Sequence, residues 1–299
     1  MQISIISGKG GSGKTSLTAA LITLMAKEHP LILVDADVDA SNLDLIIPSD
    51  KQNEYDFLAG KVAQIDPDNC IACGVCENVC RFGAVEYDAQ AEQAYHIDPM
   101  HCEGCAVCAH ECPQEAITLL PRQDGVWFQS TSPYGDFFHA HLYAGHENSG
   151  KLVATILTAA HEKAENDDKR LIIVDGPPGI GCPVIATCTQ TDAAIIVTEP
   201  TPSGIHDMLR ILDTTQHFKK PSYVIINKAD LHPENAQQIE DVCQQRQVPV
   251  LGSIPFDPQF NKAMVQAQPI TTYAPESQSS QSIEKIWHNL QQELNNFFA

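Results

Sequence analysis

Residues 8–15 read Gly-Lys-Gly-Gly-Ser-Gly-Lys-Thr, and this stretch decides the fold. It follows a short apolar run, Ile3 to Ile6, and precedes an apolar run with helical spacing that begins at Leu17. Strand, glycine-rich loop and helix in this order form a phosphate-binding loop, because backbone N–H groups and the helix N-terminus both attract anions. We expect Lys14 to reach the β- and γ-phosphates of a nucleotide and the Thr15 hydroxyl to hold Mg²⁺.

Composition limits the classes of partner. The chain has 299 residues, 43% of them hydrophobic, and a formal net charge of −20. This length allows one large domain or two smaller ones. The acidic balance argues against nucleic acid or an anionic membrane as a partner, because phosphate neutralisation needs clustered Lys and Arg. The sequence shows no signal peptide and no apolar run near the roughly 18 residues of a membrane span, so we predict a cytoplasmic protein.

Acidic residues follow two other apolar runs. The first run, residues 31–34, ends in Asp35-Ala-Asp37-Val-Asp39, and the second, residues 171–174, ends in Asp175 before a Gly-Pro-Pro-Gly loop. Carboxylates at the carboxyl ends of strands beside a phosphate-binding loop lie where Mg²⁺ and an attacking water would sit. Asp175 is therefore predicted to bind Mg²⁺ through water. A solvated acidic turn is the alternative for residues 35–39.

Eight of the eleven cysteines fall between residues 70 and 112, in two copies of C-x₂-C-x₂-C-x₃-C. Aligning residues 65–87 on 97–119 matches nine of 23 positions, which is an internal repeat with a period of 32. In such a motif the first three thiolates bind one [4Fe–4S] cluster and the fourth binds the other. Cluster I is thus assigned Cys70, Cys73, Cys76 and Cys112, and cluster II is assigned Cys102, Cys105, Cys108 and Cys80.

Two alternatives to clusters are weaker. Four-cysteine zinc sites usually pair two separated C-x₂-C units, and disulfides are typical of short secreted chains. One departure from the usual motif is Arg81, which stands where proline is common after the fourth cysteine. This substitution leaves the ligand in place but can alter hydrogen bonding to the sulfurs and hence the reduction potential.

Three further features leave alternatives open. Asn227 follows a predicted strand and begins Asn-Lys-Ala-Asp230, which fits both a general purine site and the guanine-reading N-K-x-D motif. His139 and His141 would share one face of a strand, but the sequence shows no third metal ligand, so ordinary histidines are favoured. The C-terminal stripe from Ile283 to Phe297 fits a helix packed on the domain better than a membrane helix, because its polar face holds a single lysine.

With these motifs in place, the chain resembles, essentially end to end, the MinD/Mrp superfamily of P-loop ATPases with an inserted ferredoxin domain. The resemblance implies an α/β P-loop NTPase fold with a deviant Walker A loop and a mostly parallel sheet with helices on both faces. It also implies a small α+β bacterial-type ferredoxin domain. We place the ATPase domain at residues 1–59 and 122–299 and the ferredoxin domain at residues 60–121.

The resemblance also implies roles for individual residues. Lys9 would cross a homodimer interface to the partner's nucleotide, Asp35 would hold a Mg²⁺-bound water, and Asp37 would orient or deprotonate the hydrolytic water. Adenine, rather than guanine, would be read by Asn227 and the backbone near Pro255. The nucleotide-binding set is Gly8, Lys9, Gly10, Gly11, Ser12, Gly13, Lys14, Thr15, Ser16, Asn227 and Pro255, with Asp37, Lys9 and Lys14 catalytic and Thr15, Asp35 and Asp175 at Mg²⁺.

The function implied is a nucleotide-gated homodimer that hydrolyses ATP and transfers electrons through two [4Fe–4S] clusters. Its partners would be a second copy of the chain and a redox or iron–sulfur client protein. One alternative is an iron–sulfur scaffold or carrier, although Cys182, Cys188 and Cys243 do not form the C-x-x-C common in such carriers. Another is a spatial-positioning ATPase. By resemblance to the nitrogenase iron protein, Cys182 is a candidate cluster ligand at its offset from Asp175, but a packed thiol near the dimer interface is favoured.

Overall fold

The computed structural model describes residues 1–88, 95–167 and 171–294, which form two compact units. The first unit comprises Met1–Tyr55, Trp127–His141 and Ser149–Ala299, and the second comprises Asp56–Val126 and Leu142–Asn148. The range predicted for an inserted domain, residues 60–121, falls within the second unit. The sequence did not suggest that residues 142–148 belong there too.

The elements alternate between strand and helix along most of the chain. The strands are β1 (Gln2–Ser7), β2 (Leu31–Asp35), β3 (Asp50–Ile65), β4 (Val85–Tyr87), β5 (Tyr95–Ile97), β6 (Ile117–Ser132), β7 (Gly135–Leu142), β8 (Leu171–Pro178), β9 (Ala193–Thr198), β10 (Ser222–Asn227) and β11 (Val250–Ile254). The helices are α1 (Lys14–Met25), α2 (Val75–Val79), α3 (Val107–His110), α4 (Ser149–Asn166), α5 (Cys182–Gln190), α6 (Pro202–His217), α7 (Pro233–Gln245), α8 (Gln259–Val265), α9 (Ile270–Tyr273) and α10 (Gln278–Glu293), with short 3₁₀ turns at Leu43–Leu45 and Ala229–Leu231.

A mostly parallel sheet is the frame of the first unit, as the sequence predicts. The strand order is β11-β10-β9-β1-β8-β2-β7-β6-β3, and the pairs from β11 through to β7 are parallel. β1 lies between β8 and β9, so the loop after β1 leaves a central strand of the sheet rather than an edge strand. Side chains at the carboxyl ends of β1, β2 and β8 therefore meet at one edge, where ligands bind in open α/β sheets.

Helices cover both faces of this sheet, because its central strands are apolar on both sides. Alternate residues of β9 separate accordingly, with Ile195 packing in one core and Ile196 in the other. The first core includes α1 and α10, and the second includes α5, α6 and α7. The predicted helices on both faces are thus confirmed.

The C-terminal helix packs against the domain. Ile283, Ile286, Trp287 and Leu290 of α10 are buried in the core that contains α1. Packing on the domain is therefore confirmed for the described part of the stripe, whereas Phe297 lies outside the described residues. Within residues 1–88, 95–167 and 171–294, none of the helices has the length and apolar character that crossing a membrane requires.

The polar sequences of residues 48–60 and 270–281 predict irregular chain, and both predictions are wrong. β3 begins at Asp50, and residues 270–281 contain α9 and the start of α10. The first seven residues of β3 are all exposed, so the apolar alternation that marks a half-buried strand is missing. α9 has only four residues, too few to show a helical period.

The second unit repeats its backbone with the period of its sequence. Residues in left-handed conformation recur 32 positions apart, at Ala72 and Gly104, Gly74 and Ala106, and Gly83 and Glu115. In both copies a short helix, α2 or α3, starts directly after the second of these residues. β4 and β5 pair antiparallel to complete the described part of this unit's small sheet.

Candidate functional site

The loop after β1 has the conformation that a phosphate-binding loop needs. Gly11 and Gly13 have φ of 80° and 84°, a region that favours glycine, and α1 begins at Lys14. A Cβ on Gly13 would lie 2.3 Å from the side-chain nitrogen of Asn227. Glycine is therefore required at position 13 for packing as well as for its backbone conformation. The loop therefore presents its backbone at the start of α1, as anion binding requires.

Lys14, Thr15 and Asp175 converge at the end of this loop. The Lys14 Nζ lies 2.8 Å from one carboxylate oxygen of Asp175, and the Thr15 Oγ1 donates to the other over 2.6 Å. Thr18 Oγ1 donates to the same carboxylate over 2.8 Å. The lysine predicted to bind phosphate and two of the three residues predicted to hold Mg²⁺ are thus in direct contact, although Asp175 lies far from the other two in sequence.

A cavity of about 800 Å³ opens above these residues. Of the predicted nucleotide-binding residues, those that line it are Lys9, Gly10, Gly11, Ser12, Gly13, Lys14, Thr15, Ser16, Asn227 and Pro255. Asp37 also lines it, whereas Gly8, Asp35 and Asp175 are not among the lining residues. Gly8 instead packs against α6, where a Cβ would lie 2.3 Å from the Asp207 Cβ. The volume lies within the range of small-molecule sites.

Asp35 is fully buried, and its carboxylate is hydrogen-bonded to groups of its own chain. Its carboxylate accepts hydrogen bonds from Ser41 Oγ and from the backbone N–H groups of Asp37, Asn42 and Leu43, at 2.8–3.1 Å. Burial and the nearby Asp175 raise the pKa of Asp35 to about 7. Its predicted role at Mg²⁺ stays a prediction, and the structure adds a second role, which is to hold residues 41–43.

Asp37 is the half-buried one of the two acids at this strand end that line the cavity. It is half-buried, and burial is the main cause that raises its pKa, with Asp175 and Asp39 adding to the effect and Lys14 opposing it. Asp39 lines the same cavity but is exposed. A carboxylate in this environment, with Lys14 nearby, is suited to orient a water or to accept its proton.

Asn227 and Asp230 both support backbone. The Asn227 Nδ2 donates to the carbonyl of Ser12 over 2.7 Å, and its Oδ1 accepts from the Lys228 N–H. Asp230 Oδ1 accepts from the N–H of Phe256 over 2.6 Å, and Asp230 does not line the cavity. Because the Asp230 carboxylate is hydrogen-bonded to Phe256, the structure gives no support to a guanine-reading role for it. Recognition of adenine by Asn227 stays a prediction.

Lys9 contacts its own chain in this structure. Its Nζ lies 3.4 Å from Glu199 Oε2 and 3.4 Å from the hydroxyls of Thr201 and Ser203, at the start of α6. Glu199 also pairs with Lys228, so one carboxylate serves two lysines. The Lys9 side chain is 33% exposed. The sequence places Glu199 directly after β9 but gives it no role, and its pairing with two lysines is visible only in the structure.

In the second unit, the eight clustered cysteines line two separate cavities. The first, cavity I, is lined by Cys70, Cys73, Cys76 and Cys112, and the second, cavity II, by Cys80, Cys102, Cys105 and Cys108. Each set therefore joins three cysteines of one repeat to the fourth of the other. All eleven cysteines of the chain are free thiols.

Backbone N–H groups donate to sulfurs in both sets. The Ala116 N–H donates to Cys112 Sγ and the Ala63 N–H to Cys102 Sγ, both over 3.4 Å. Burial raises the pKa of the Cys80 thiol, but N–H groups of residues 82–85 outweigh it, so the net shift is downward. Four thiol ligands, apolar walls and N–H donors to sulfur form a donor set that fits an iron–sulfur cluster.

A buried carboxylate network in the second unit was not visible in the sequence. Asp124 is fully buried, and its Oδ1 accepts from Arg122 Nε over 2.7 Å and from His146 Nδ1 over 2.8 Å. Burial would raise the pKa of Asp124, but His146 and Arg122 outweigh burial and lower it. Arg122 also donates to the carbonyl of Cys102 over 2.9 Å, so the network fixes the backbone of one predicted cluster ligand.

Replacing Asp124 with alanine is expected to destabilise the second unit by about 3–5 kcal/mol, because it leaves Arg122 and His146 without their buried partner. Hydrogen exchange followed by mass spectrometry should show faster exchange in peptides from residues 56–88 and 95–126. The exposed Asp56 of the same unit, replaced by alanine, is the control and should change stability by no more than about 0.5 kcal/mol. Equal exchange in both variants would contradict the assigned role.

Two features that the sequence left unassigned now have positions. Cys182 is exposed at the first residue of α5, and its Cβ lies 3.0 Å from where a Cβ on Gly150 would be. The expectation that this thiol packs near a dimer interface stays a prediction, because exposure was measured on the single chain. Glu147 and Asn148 directly precede α4, which begins at Ser149, and the Asn148 Nδ2 donates to Asp124 over 3.4 Å.

This loop, the Lys14–Thr15–Asp175 cluster and the parallel sheet together define a P-loop NTPase fold. The model of the CobQ/CobB/MinD/ParA nucleotide binding domain matches residues 3–270, and the chain belongs to this family. An uncharacterized protein of Methanocaldococcus jannaschii is 33% identical over 293 residues, covering 98% of this chain and 97% of the relative.

Two other similarities agree with this assignment. An uncharacterized ATP-binding protein of the same archaeon is 26% identical over 291 residues, covering 95% of this chain and 85% of that protein. The solved structure of the septum site-determining protein MinD complexed with Mg-ADP, from Pyrococcus horikoshii, has a TM-score of 0.59 at 21% identity. It covers 100% of this chain and 98% of that one, which shows a MinD-like fold.

Proposed function

We propose that this protein hydrolyses ATP as a homodimer and couples ATP to electron transfer through two [4Fe–4S] clusters. The observation that carries the proposal is the joining of three cysteines from one repeat to the fourth from the other, in each of two cavities. The names of the relatives reported above mention ATP binding and septum-site determination, not iron or sulfur. The cluster half of the proposal therefore rests on the cysteine geometry.

The ATPase half rests on the first unit. Lys14 would bind the β- and γ-phosphates, and Thr15 and Asp175 would hold Mg²⁺, which neutralises phosphate charge. Asp37 would accept the proton of the water whose oxygen bonds to the γ-phosphorus, while the bond from that phosphorus to the bridging oxygen breaks and ADP leaves. The half-exposed Lys9 would release Glu199 and contact the nucleotide of the partner.

The cysteine sets favour clusters over zinc. Among residues 1–88, 95–167 and 171–294, no three cysteine sulfurs lie within 4.8 Å of one another. Sulfurs around one tetrahedral zinc, at about 2.3 Å from the metal, lie about 3.8 Å apart, so zinc would require these sets to contract. A bound [4Fe–4S] cluster supplies one-electron redox chemistry. The chain supplies thiolates, N–H donors to sulfur and apolar walls such as Ile65 and Ile117 that limit access of water.

The test is anaerobic iron and acid-labile sulfide analysis, with EPR of the reduced protein. We expect about eight irons per chain in two all-cysteine clusters, following the duplicated motif. Replacing Cys112 or Cys80 with serine should each perturb the EPR of one cluster, whereas replacing Cys243, a buried cysteine of the first unit, should perturb neither. Stoichiometric zinc, or four irons in fully loaded protein, would refute the proposal.

A spatial-positioning ATPase is the second candidate, and the similarity to a septum site-determining protein favours it. The two functions differ in whether ATP acts on the clusters. A cluster reduction potential that shifts when ATP is added supports electron transfer. An unchanged potential, with ATP-dependent recruitment to a lipid or DNA surface, supports positioning. Transfer of clusters to an apo-protein acceptor would instead support the carrier alternative.

A further inference from the structure

The first unit contains a group of three side chains that the nucleotide site does not use. Asp44, His139 and His141 each present a ligand atom, and these atoms all lie within 4.8 Å of one another. The two histidines share one face of β7, as the sequence suggested, and Asp44 supplies the third ligand from the 3₁₀ turn at Leu43–Leu45. The sequence could not show Asp44, because 95 residues separate it from His139.

Two atoms of this group are buried without a partner among the described residues. They are Asp44 Oδ1 and His139 Nδ1. An unpaired buried carboxylate oxygen and ring nitrogen each cost free energy, typically about 1–3 kcal/mol, and native proteins rarely keep such groups. Both atoms belong to the same three-residue group, so a single bound ion would satisfy both.

The His139 ring is held in place as a metal-binding histidine usually is. Its Nε2 lies 3.0 Å from the buried Ser130 Oγ, and when Nε2 donates to this hydroxyl, the Nδ1 lone pair is left for a metal. The ring also stacks between Phe128 and Phe137, with centroids 4.9 and 4.8 Å away. His141 packs edge-on to Phe128.

The geometry points to a binding site for a divalent transition-metal ion, with Zn²⁺ the best match, formed by Asp44, His139 and His141. Two imidazoles and one carboxylate suit zinc or Fe²⁺, whereas Mg²⁺ and Ca²⁺ prefer all-oxygen ligands. Ligand atoms around one zinc lie roughly 3.4 Å apart, at 2.0–2.2 Å from the metal. The separations of Asp44, His139 and His141, all within 4.8 Å, are compatible with this spacing. The positive charge of Lys51 lies close by, because its Nζ is 3.6 Å from the centroid of the Phe128 ring that stacks on His139.

Bound metal would fix the turn that Asp35 also holds. Asp35 accepts from the N–H groups of Asn42 and Leu43, directly before Asp44, and Asp35 is the register partner of His139 in the sheet. The ion would thus tie the turn after β2 to β7. We expect metal to raise thermal stability, because an ion that binds only the native state stabilises it by mass action.

The test uses the chain with its cysteine sites filled, as purified anaerobically, and adds Co²⁺ or Zn²⁺ alone. Wild type should bind about one further equivalent, and the Co²⁺ spectrum should lack thiolate-to-cobalt charge-transfer bands, because no cysteine belongs to the site. Asp44→Asn and His141→Ala should each weaken binding more than the roughly 10–100-fold typical of losing an outer-shell partner. The control is His217→Ala, an exposed histidine elsewhere in the first unit.

Two results would overturn the site. One is thiolate bands for the added Co²⁺, which would place it on cysteines. The other is unchanged stoichiometry and affinity in Asp44→Asn and His141→Ala. Circular dichroism checks that each variant folds, and Ser130→Ala, which leaves all three ligands, should weaken binding about 10–100-fold. Fe²⁺ competition then distinguishes an iron site from a zinc site. If the cysteines hold no clusters, their thiols are alkylated before Co²⁺ is added, so that failure of the iron–sulfur proposal and failure of this site can be told apart.

Discussion

Asp37→Ala is expected to lower ATP turnover by on the order of 10²–10⁴ while leaving ATP binding nearly unchanged. Asp37 lines the nucleotide cavity, and its half-buried carboxylate lies near enough to Lys14 and Asp175 to feel both charges. A group that accepts a proton in the transition state contributes to the rate rather than to ground-state binding. Single-turnover hydrolysis and calorimetric ATP titration measure the two quantities separately.

Asp39→Ala is the comparison that isolates this role. Asp39 lines the same cavity two residues later, but it is exposed. If Asp37 acts by position, Asp39→Ala should change turnover by less than about tenfold, below the usual range for loss of an acid–base group. Similar losses in both variants would mean that general negative charge matters here, and Asp37 would then lose its assignment as the catalytic acid–base residue.

Local motifs carried most of the fold prediction. The loop at residues 8–15 and the apolar runs before Asp35 and Asp175 predict β1, α1, β2 and β8, because buried parallel strands and glycine loops have strong local signals. β3 lacks such a local signal. Its exposed first half has no apolar alternation, so only pairing with a neighbouring strand reveals it.

The residues that sequence reasoning missed act through distant contacts. Glu199 pairs with Lys9, Asp124 pairs with His146, and Asp44 joins His139 across about a third of the chain. Asp124 and Asp44 stand in no motif, and the sequence around Glu199 gives no sign of the residue that it pairs with. Sequence motifs identify the residues around a ligand, whereas only the tertiary structure identifies the groups that hold those residues in place.

Lys14→Ala should weaken ATP binding by on the order of 10²-fold or more, since truncating one partner of a buried charge pair costs about 2–5 kcal/mol. Lys14 is 5% exposed and is directed at Asp175, where the nucleotide phosphates and Mg²⁺ are expected. Lys14→Ala leaves Asp175 buried without its cation, so circular dichroism must accompany calorimetry. A well-folded variant that binds ATP normally would contradict the phosphate-binding role.

Lys9→Ala should behave differently, because Lys9 is half-exposed and reaches Glu199 rather than the Lys14 cluster. ATP should still bind, but the ATP-dependent dimer and hydrolysis should be lost if this lysine acts on the partner's nucleotide. Lys262→Ala, an exposed lysine on α8, is the matched control and should dimerise normally. Light scattering with and without ATP decides the matter: a Lys9→Ala protein that dimerises and hydrolyses ATP like wild type would leave the Glu199 contact as the only role of Lys9.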